Sequence, residues 1–179
     1  MNEETKELEE RFKEILHGKN TEKLLMTYWE GAVSEEYFST KNSKFYFQKE
    51  LLESSAEEAW VGGPCYILAL ALKEWLGKEA QLCRLGTPEG YHAFVQTGEY
   101  FIDGTGFKSE EEILEGNREI MDWDNGIAYI NSASLKKWSC DMERDKKLVV
   151  KPLTKLLAKS LDKERLLKVL KIPQPEIVL

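Results

Sequence analysis

Three residues of this 179-residue chain have the types and the neighbours for nucleophilic chemistry: Cys65, His92 and Asp103. Cys65 follows Val61-Gly62-Gly63-Pro64, a stretch that cannot be helical, and precedes Tyr66-Ile-Leu-Ala-Leu-Ala-Leu-Lys-Glu-Trp-Leu76, about three turns of nearly unbroken apolar helix. A helix that is apolar all round is buried on most sides. Its first backbone N–H groups have no helical partner, and together with the helix dipole they stabilise an anion. The flanking glycines permit close approach of a ligand to the backbone. An exposed thiol at such a junction is placed to act as a nucleophile. The plainer alternative is that Cys65 is a small core residue, a common fate of free cysteine.

His92 and Asp103 belong to the next segment, Tyr91-His-Ala-Phe-Val-Gln-Thr-Gly-Glu-Tyr-Phe-Ile-Asp-Gly-Thr-Gly-Phe107. Two β-rich runs flank Thr97-Gly98-Glu99, which reads as a hairpin. With Gly98-Glu99 as a two-residue loop, Gly first as a type II′ turn prefers, Gln96 faces Phe101 and Phe94 faces Asp103. His92 is then diagonal to Asp103 on the same face, roughly 7–8 Å away at the backbone and within side-chain reach. A four-residue loop would set the two directly opposite. A three-residue loop without a bulge would put them on opposite faces. In the first two registers Asp103 can orient the imidazole, and His92 can take a proton from Cys65, with the sulfur expected about 3–4.5 Å from a ring nitrogen. Asp103 has a competing explanation as a turn-former, because Asp-Gly is a strong turn signal and an Asp side chain often bonds backbone two residues on.

Gly-Pro-Cys-Tyr-Ile-Leu-Ala, residues 63–69, resembles the nucleophile motif of papain-like and transglutaminase-like enzymes, Gly-x-Cys-Trp-x-x-Ala. Gly62-Gly63-x-Cys65, then His92, then Asp103-x-x-Gly106-Phe107 is also similar to arylamine N-acetyltransferases. The resemblance covers about a quarter of the chain. It implies Cys65 as nucleophile, His92 as base and Asp103 as orienter, and thiol-dependent acyl chemistry through a thioester. The substrate would be a protein, a peptide or a small amide or acyl compound. Water as acceptor would make a peptidase, amidase or deamidase, and an amine would make a transferase. The N–H of Cys65 is one oxyanion donor; Trp60 and Gln48 are candidates for a second donor or for substrate contact. No cofactor is implied. The alternative from another class is a non-catalytic protein-binding or inhibitor module on an enzyme-like fold.

These side chains must be positioned by the rest of the chain. The expected architecture is α+β, a single domain with a buried helix from Cys65 packed on an antiparallel sheet that carries His92 and Asp103, with peripheral helices around it. Composition fits a globular core, with 42% apolar and 32% charged residues. The net charge of −7 argues against nonspecific nucleic-acid or membrane partners. No apolar run reaches membrane-spanning length, and the N-terminus lacks the basic start and apolar stretch of a secretory signal. Three cysteines are few and odd in number for a disulfide framework, so the expected compartment is reducing and cytoplasmic. A zinc site from Cys65, Cys83, His92 and Cys140 lacks any Cys-x-x-Cys pair and is disfavoured.

The remaining segments read as follows. Residues 3–17 form an amphipathic helix through Leu8, Phe12, Ile15 and Leu16, with Gly18 as its stop and His17 as a capping cation. A short helix spans Leu24 to Trp29, followed by a Gly-containing turn. Ser34-Glu-Glu begins a capped helical turn, Lys41-Asn-Ser-Lys is a loop, Phe45 to Leu52 is ambiguous with a helical bias, and Ser55-x-x-Glu58 is a capping box leading to Trp60. Gln81 to Leu85 is a strand after a stop at Gly77. Ser109-x-x-Glu112 boxes a helix to about Met121, Asp122 to Gly126 is a turn, and Ile127 to Ile130 is a strand. Ser134 caps a short helix through Trp138, and Leu148-Val-Val is a last strand. Residues 152–171 form two short amphipathic helices broken near Ser160-Leu-Asp162. The tail Ile172 to Leu179 is extended by its prolines and is a possible dock for a protein partner.

Overall fold

The computed structural model describes residues 1–32, 60, 64–86, 91–121, 126–139 and 141–170. Outside them lie the sequence readings for residues 33–59, which include Gln48, the glycine loop 61–63, the turn at 122–125, Cys140 and the tail 171–179.

The centre of the molecule is helix α3, Cys65–Leu76, in which ten of twelve residues are buried. Only Lys73 and Glu74 are less covered, and Lys73 turns this to use: its Nζ donates to the carbonyls of Gly77 and Ala80 at 3.0 and 2.6 Å, closing the helix C-terminus. Gly77 ends the helix in the left-handed region at φ 69°. Ahead of α3 come α1, Glu3–Leu16, and α2, Lys19–Ala32. Asn2 caps α1, its Oδ1 accepting from Thr5 N–H at 2.8 Å, and the helix buries the expected stripe of Leu8, Phe12, Ile15 and Leu16. The second helix is longer than the span Leu24–Trp29. It continues through Gly31, where a turn is expected from sequence; packing of Leu25 and Tyr28 into the core outweighs the roughly 1 kcal/mol propensity cost of one glycine.

Five antiparallel strands follow: β1 Gln81–Gly86, β2 Tyr91–Thr97, β3 Tyr100–Asp103, β4 Gly106–Lys108 and β5 Ala128–Tyr129, in the spatial order β4-β3-β2-β1-β5. Strand alternation sorts the side chains. Leu82, Ala93, Val95 and Ile102 join the main core with α3, whereas Cys83, Leu85, Phe94 and Phe101 form a second cluster with Ile113. Ile113 belongs to α4, Glu110–Met121, which starts with the expected capping box: Ser109 N–H donates to Glu112 Oε2 at 2.7 Å and Glu112 N–H to Ser109 Oγ at 3.2 Å. The α+β class and the antiparallel sheet are as the sequence implies.

Beyond β5 the described elements are helical. Ser134–Trp138 is a 3₁₀ turn in which Ser134 is the first residue and not the cap; Asn131 Oδ1 accepts from Ser134 N–H at 3.1 Å. Leu148-Val149-Val150 is not a strand. It lies in a π-helical turn, Lys146–Val150, between α5, Met142–Asp145, and α6, Lys151–Ser160. Pro152 explains the wider turn, since it has no N–H for the Leu148 carbonyl four residues back and its ring would crowd that carbonyl. Val149 and Val150 are both fully buried, so tertiary packing overrides their β preference. After an extended Leu161 comes α7, Lys163–Leu170, completing the expected helix pair. No described helix is long and apolar enough to cross a membrane.

Candidate active site

Topology brings the three chemical residues to one end of the sheet. Helix α3 runs from Cys65 to Leu76 and the chain reverses into β1, so the end of β1 and the start of β2 return to the helix N-terminus. Twelve helical and six strand residues have similar lengths, about 18 and 20 Å. His92 is the second residue of β2, and Asp103, the last of the antiparallel β3, ends at the same edge.

The hairpin adopts the two-residue loop. Thr97 pairs with Tyr100, Gln96 with Phe101 and Val95 with Ile102, and Gly98 takes φ 60°. That register, carried one step further, leaves His92 diagonal to Asp103. Across the diagonal, His92 Nε2 and Asp103 Oδ2 are 2.8 Å apart, with the two side chains only 3% and 4% exposed. An ionised carboxylate only accepts, so Nε2 carries the donated hydrogen and Nδ1 is the ring nitrogen left for another partner. Nδ1 is buried and makes no hydrogen bond of ordinary geometry among the described residues. The Cys65 thiol is the other side chain that acts on the ring.

Burial alone would lower the proton affinity of His92. Hydrogen bonds and charge from Asp103 and Cys65 more than offset that and lift the imidazole pKa from 6.5 to about 10. For Asp103, burial works upward, but the bonds and charge from His92 and the two bonds from Thr105 outweigh it and hold the carboxyl below its usual range. The site therefore couples the His92 ring to the Asp103 carboxylate, with the Cys65 sulfur beside the ring. Phe94 packs on the imidazole at a ring distance of 5.5 Å, which keeps water from one side of it.

Cys65 is the first residue of α3, as the Gly-Gly-Pro-Cys junction implies, with its backbone N–H at the positive end of the helix dipole. The expectation of an exposed thiol needs correction: Cys65 is 3% exposed, because the apolar first turn of α3 sinks into the core. The two explanations of Asp103 prove compatible. Oδ1 accepts from the backbone N–H of Thr105 at 2.7 Å and from its hydroxyl, closing the turn, while Oδ2 holds His92. Asp-x-Thr is the spacing at which such turns close, a local signal for Thr105 that the sequence carries.

Trp60 is fully buried, and its Nε1 has no hydrogen-bond partner among the described residues. It backs directly onto Gly104, beside Asp103, where any Cβ would collide with the Trp60 Cβ. No described contact places it at Cys65. His17 is an exposed residue at the C-cap of α1, as expected. Cys83 is fully buried on the second face of the sheet, and burial pushes its thiol up to about 12. Among the described residues no three His, Cys, Asp or Glu side chains cluster in a metal-binding arrangement.

A further polar network was not legible in the sequence. Asp145 Oδ2 accepts from Tyr66 Oη at 2.8 Å and from Ser139 Oγ at 2.7 Å, and Arg144 meets Oδ1 at 3.3 Å while donating to the Thr27 carbonyl at 2.6 Å. It ties the residue after Cys65 to α5 and α2, and burial first, then neighbouring Tyr28 and Asp145, raises the Tyr66 phenol above its ordinary range.

Comparison of the chain with models of known families, with curated proteins and with solved structures finds no match.

Proposed function

We propose that the chain is a thiol-dependent acyl-transfer enzyme of the transglutaminase-like or papain-like kind, acting through a Cys65 thioester. One observation carries the reading: a buried imidazole held by Asp103 through Nε2, with a cysteine at a helix N-terminus as its other partner. The sulfur gives its proton to Nδ1 and attacks a carbonyl carbon. The resulting oxyanion faces the Cys65 N–H and the helix dipole, and the amine or other leaving group departs with the proton from Nδ1. Asp103 keeps the hydrogen on Nε2 and stabilises the imidazolium throughout. Attack by water or an amine on the thioester, with His92 again as base, returns the free thiol. The rival reading, a binding or inhibitor module, would keep the Cys-His-Asp arrangement as a fold remnant with an unreactive thiol.

Competitive alkylation separates them. At pH 7 a small alkylating reagent at low concentration should modify Cys65 more than about 100-fold faster than Cys83, whose raised pKa leaves almost no thiolate. Peptide mapping reads both sites in one sample. Equal and slow labelling of the two would favour the binding module.

A further inference from the structure

We infer that Thr105 is a positioning residue of this site, the clamp that presents the Asp103 carboxylate to His92. The inference rests on the acyl-transfer reading for its consequence and on geometry for its substance. Asp103 is 4% exposed and sits where β3 gives way to a tight turn, with Gly104 and Gly106 on either side of Thr105. A buried carboxylate needs several donors to remain ionised. The described residues supply three: His92 Nε2–H on Oδ2, and both the N–H and the O–H of Thr105 on Oδ1. The Thr105 pair fixes the carboxylate plane, so that Oδ2, and not Oδ1, meets the ring. With Asp103 ionised, the carboxylate only accepts, so the hydroxyl gives its hydrogen to Oδ1 and Thr105 is the donor.

The turn is itself held from outside. Phe107 N–H donates to Glu9 Oε1 at 3.1 Å, and Lys13 Nζ pairs with the same oxygen at 3.3 Å, so α1 braces the strand that follows Thr105. On the other side, Trp60 occupies the space next to Gly104. Neither contact reaches the Asp103 carboxylate. Among the described residues, the charged groups acting on the His92–Asp103 pair are each other and Cys65, with Thr105 as the neutral donor. The closing bond of an Asp turn normally needs only the backbone N–H. The added side-chain hydroxyl is what a residue chosen for turn geometry alone would not require.

Thr105→Val keeps the shape, the β-branch and the backbone N–H, and deletes only the hydroxyl. Thr105→Ser restores the hydroxyl without the methyl, and Thr105→Ala lacks both. Two readouts apply to each variant. The titration of His92, followed by NMR of the ring, should move its midpoint down by about one pH unit in Thr105→Val, as expected for losing one hydrogen bond to a charged group, and return toward wild type in Thr105→Ser. Alkylation of Cys65 at pH 7 should fall about tenfold in Thr105→Val and recover in Thr105→Ser. A purely structural role would lower the melting temperature without moving the His92 midpoint. If Thr105→Val fails to fold, Thr105→Ser against Thr105→Ala carries the comparison. An unchanged His92 midpoint in folded variants lacking the hydroxyl overturns the inference. Slow wild-type labelling with a shifted midpoint overturns the acyl-transfer reading and leaves the clamp standing.

Discussion

His92→Ala should lower the alkylation rate of Cys65 at pH 7 by about 100-fold or more, the largest single effect expected outside Cys65 itself. The ring is the only described group placed to take the thiol proton, and proton transfer by a positioned base contributes on the order of 10²–10⁴-fold. Its loss also removes the charge that attracts a thiolate. The pH profile should change shape, with the rate climbing steeply with each pH unit across the neutral range as for an unassisted thiol. Removing a buried ring leaves the Asp103 carboxylate buried without its main partner, which costs several kcal/mol and threatens the fold. His92→Gln is the control, since its amide can still donate toward Asp103 while offering no base. Equal loss in both variants, with intact folding in at least His92→Gln, identifies the base. Wild-type labelling in a folded His92→Gln protein would contradict the assignment.

The second large effect belongs to Asp103. Asp103→Asn should cut Cys65 labelling at pH 7 by about 10- to 100-fold, because an amide neither stabilises imidazolium nor dictates which nitrogen holds the hydrogen. Stability should change with a defined pH signature. The His92 pKa is raised in the fold, so its contribution is complete below about 6.5 and fades as pH rises through about 10. Asp103 is depressed, so its contribution is present above its unfolded value of 3.8 and lost as pH falls through the lower folded value. The melting-temperature gap between wild type and Asp103→Asn should thus be widest between pH 4 and 6.5 and narrow on both sides. A constant gap with unchanged labelling would reduce Asp103 to a turn residue.

Why the site could be read from sequence follows from its locality. The Cys65 junction needs only glycines, a proline and an apolar run, all adjacent in the chain. The His92–Asp103 register needs only the loop length, and Gly98-Glu99 fixes that through the preference of glycine for a positive φ. Features set by distant contacts were not legible. The burial of Cys65 depends on what packs over the first turn of α3. The Tyr66–Asp145 bond joins residues 79 positions apart, and Glu9 reaches Phe107 across 98. Leu148-Val-Val looked like a strand because β-branched residues usually signal one; Pro152 and the buried positions of both valines decide otherwise. Gly31 is likewise a local breaker that sits inside a helix held by its apolar face.

The central claim is that Cys65 forms a covalent acyl-enzyme, and intact-mass spectrometry tests it most directly. Wild-type protein is incubated with a panel of activated esters and glutamine- or aryl-amide acyl donors at neutral pH, quenched in acid, and mapped by peptide. The expected result is a single acyl mass on the Cys65 peptide, released by hydroxylamine as a thioester is, absent in Cys65→Ala and strongly reduced in His92→Gln. Acylation spread over lysines, or an adduct that persists unchanged in Cys65→Ala, would contradict it.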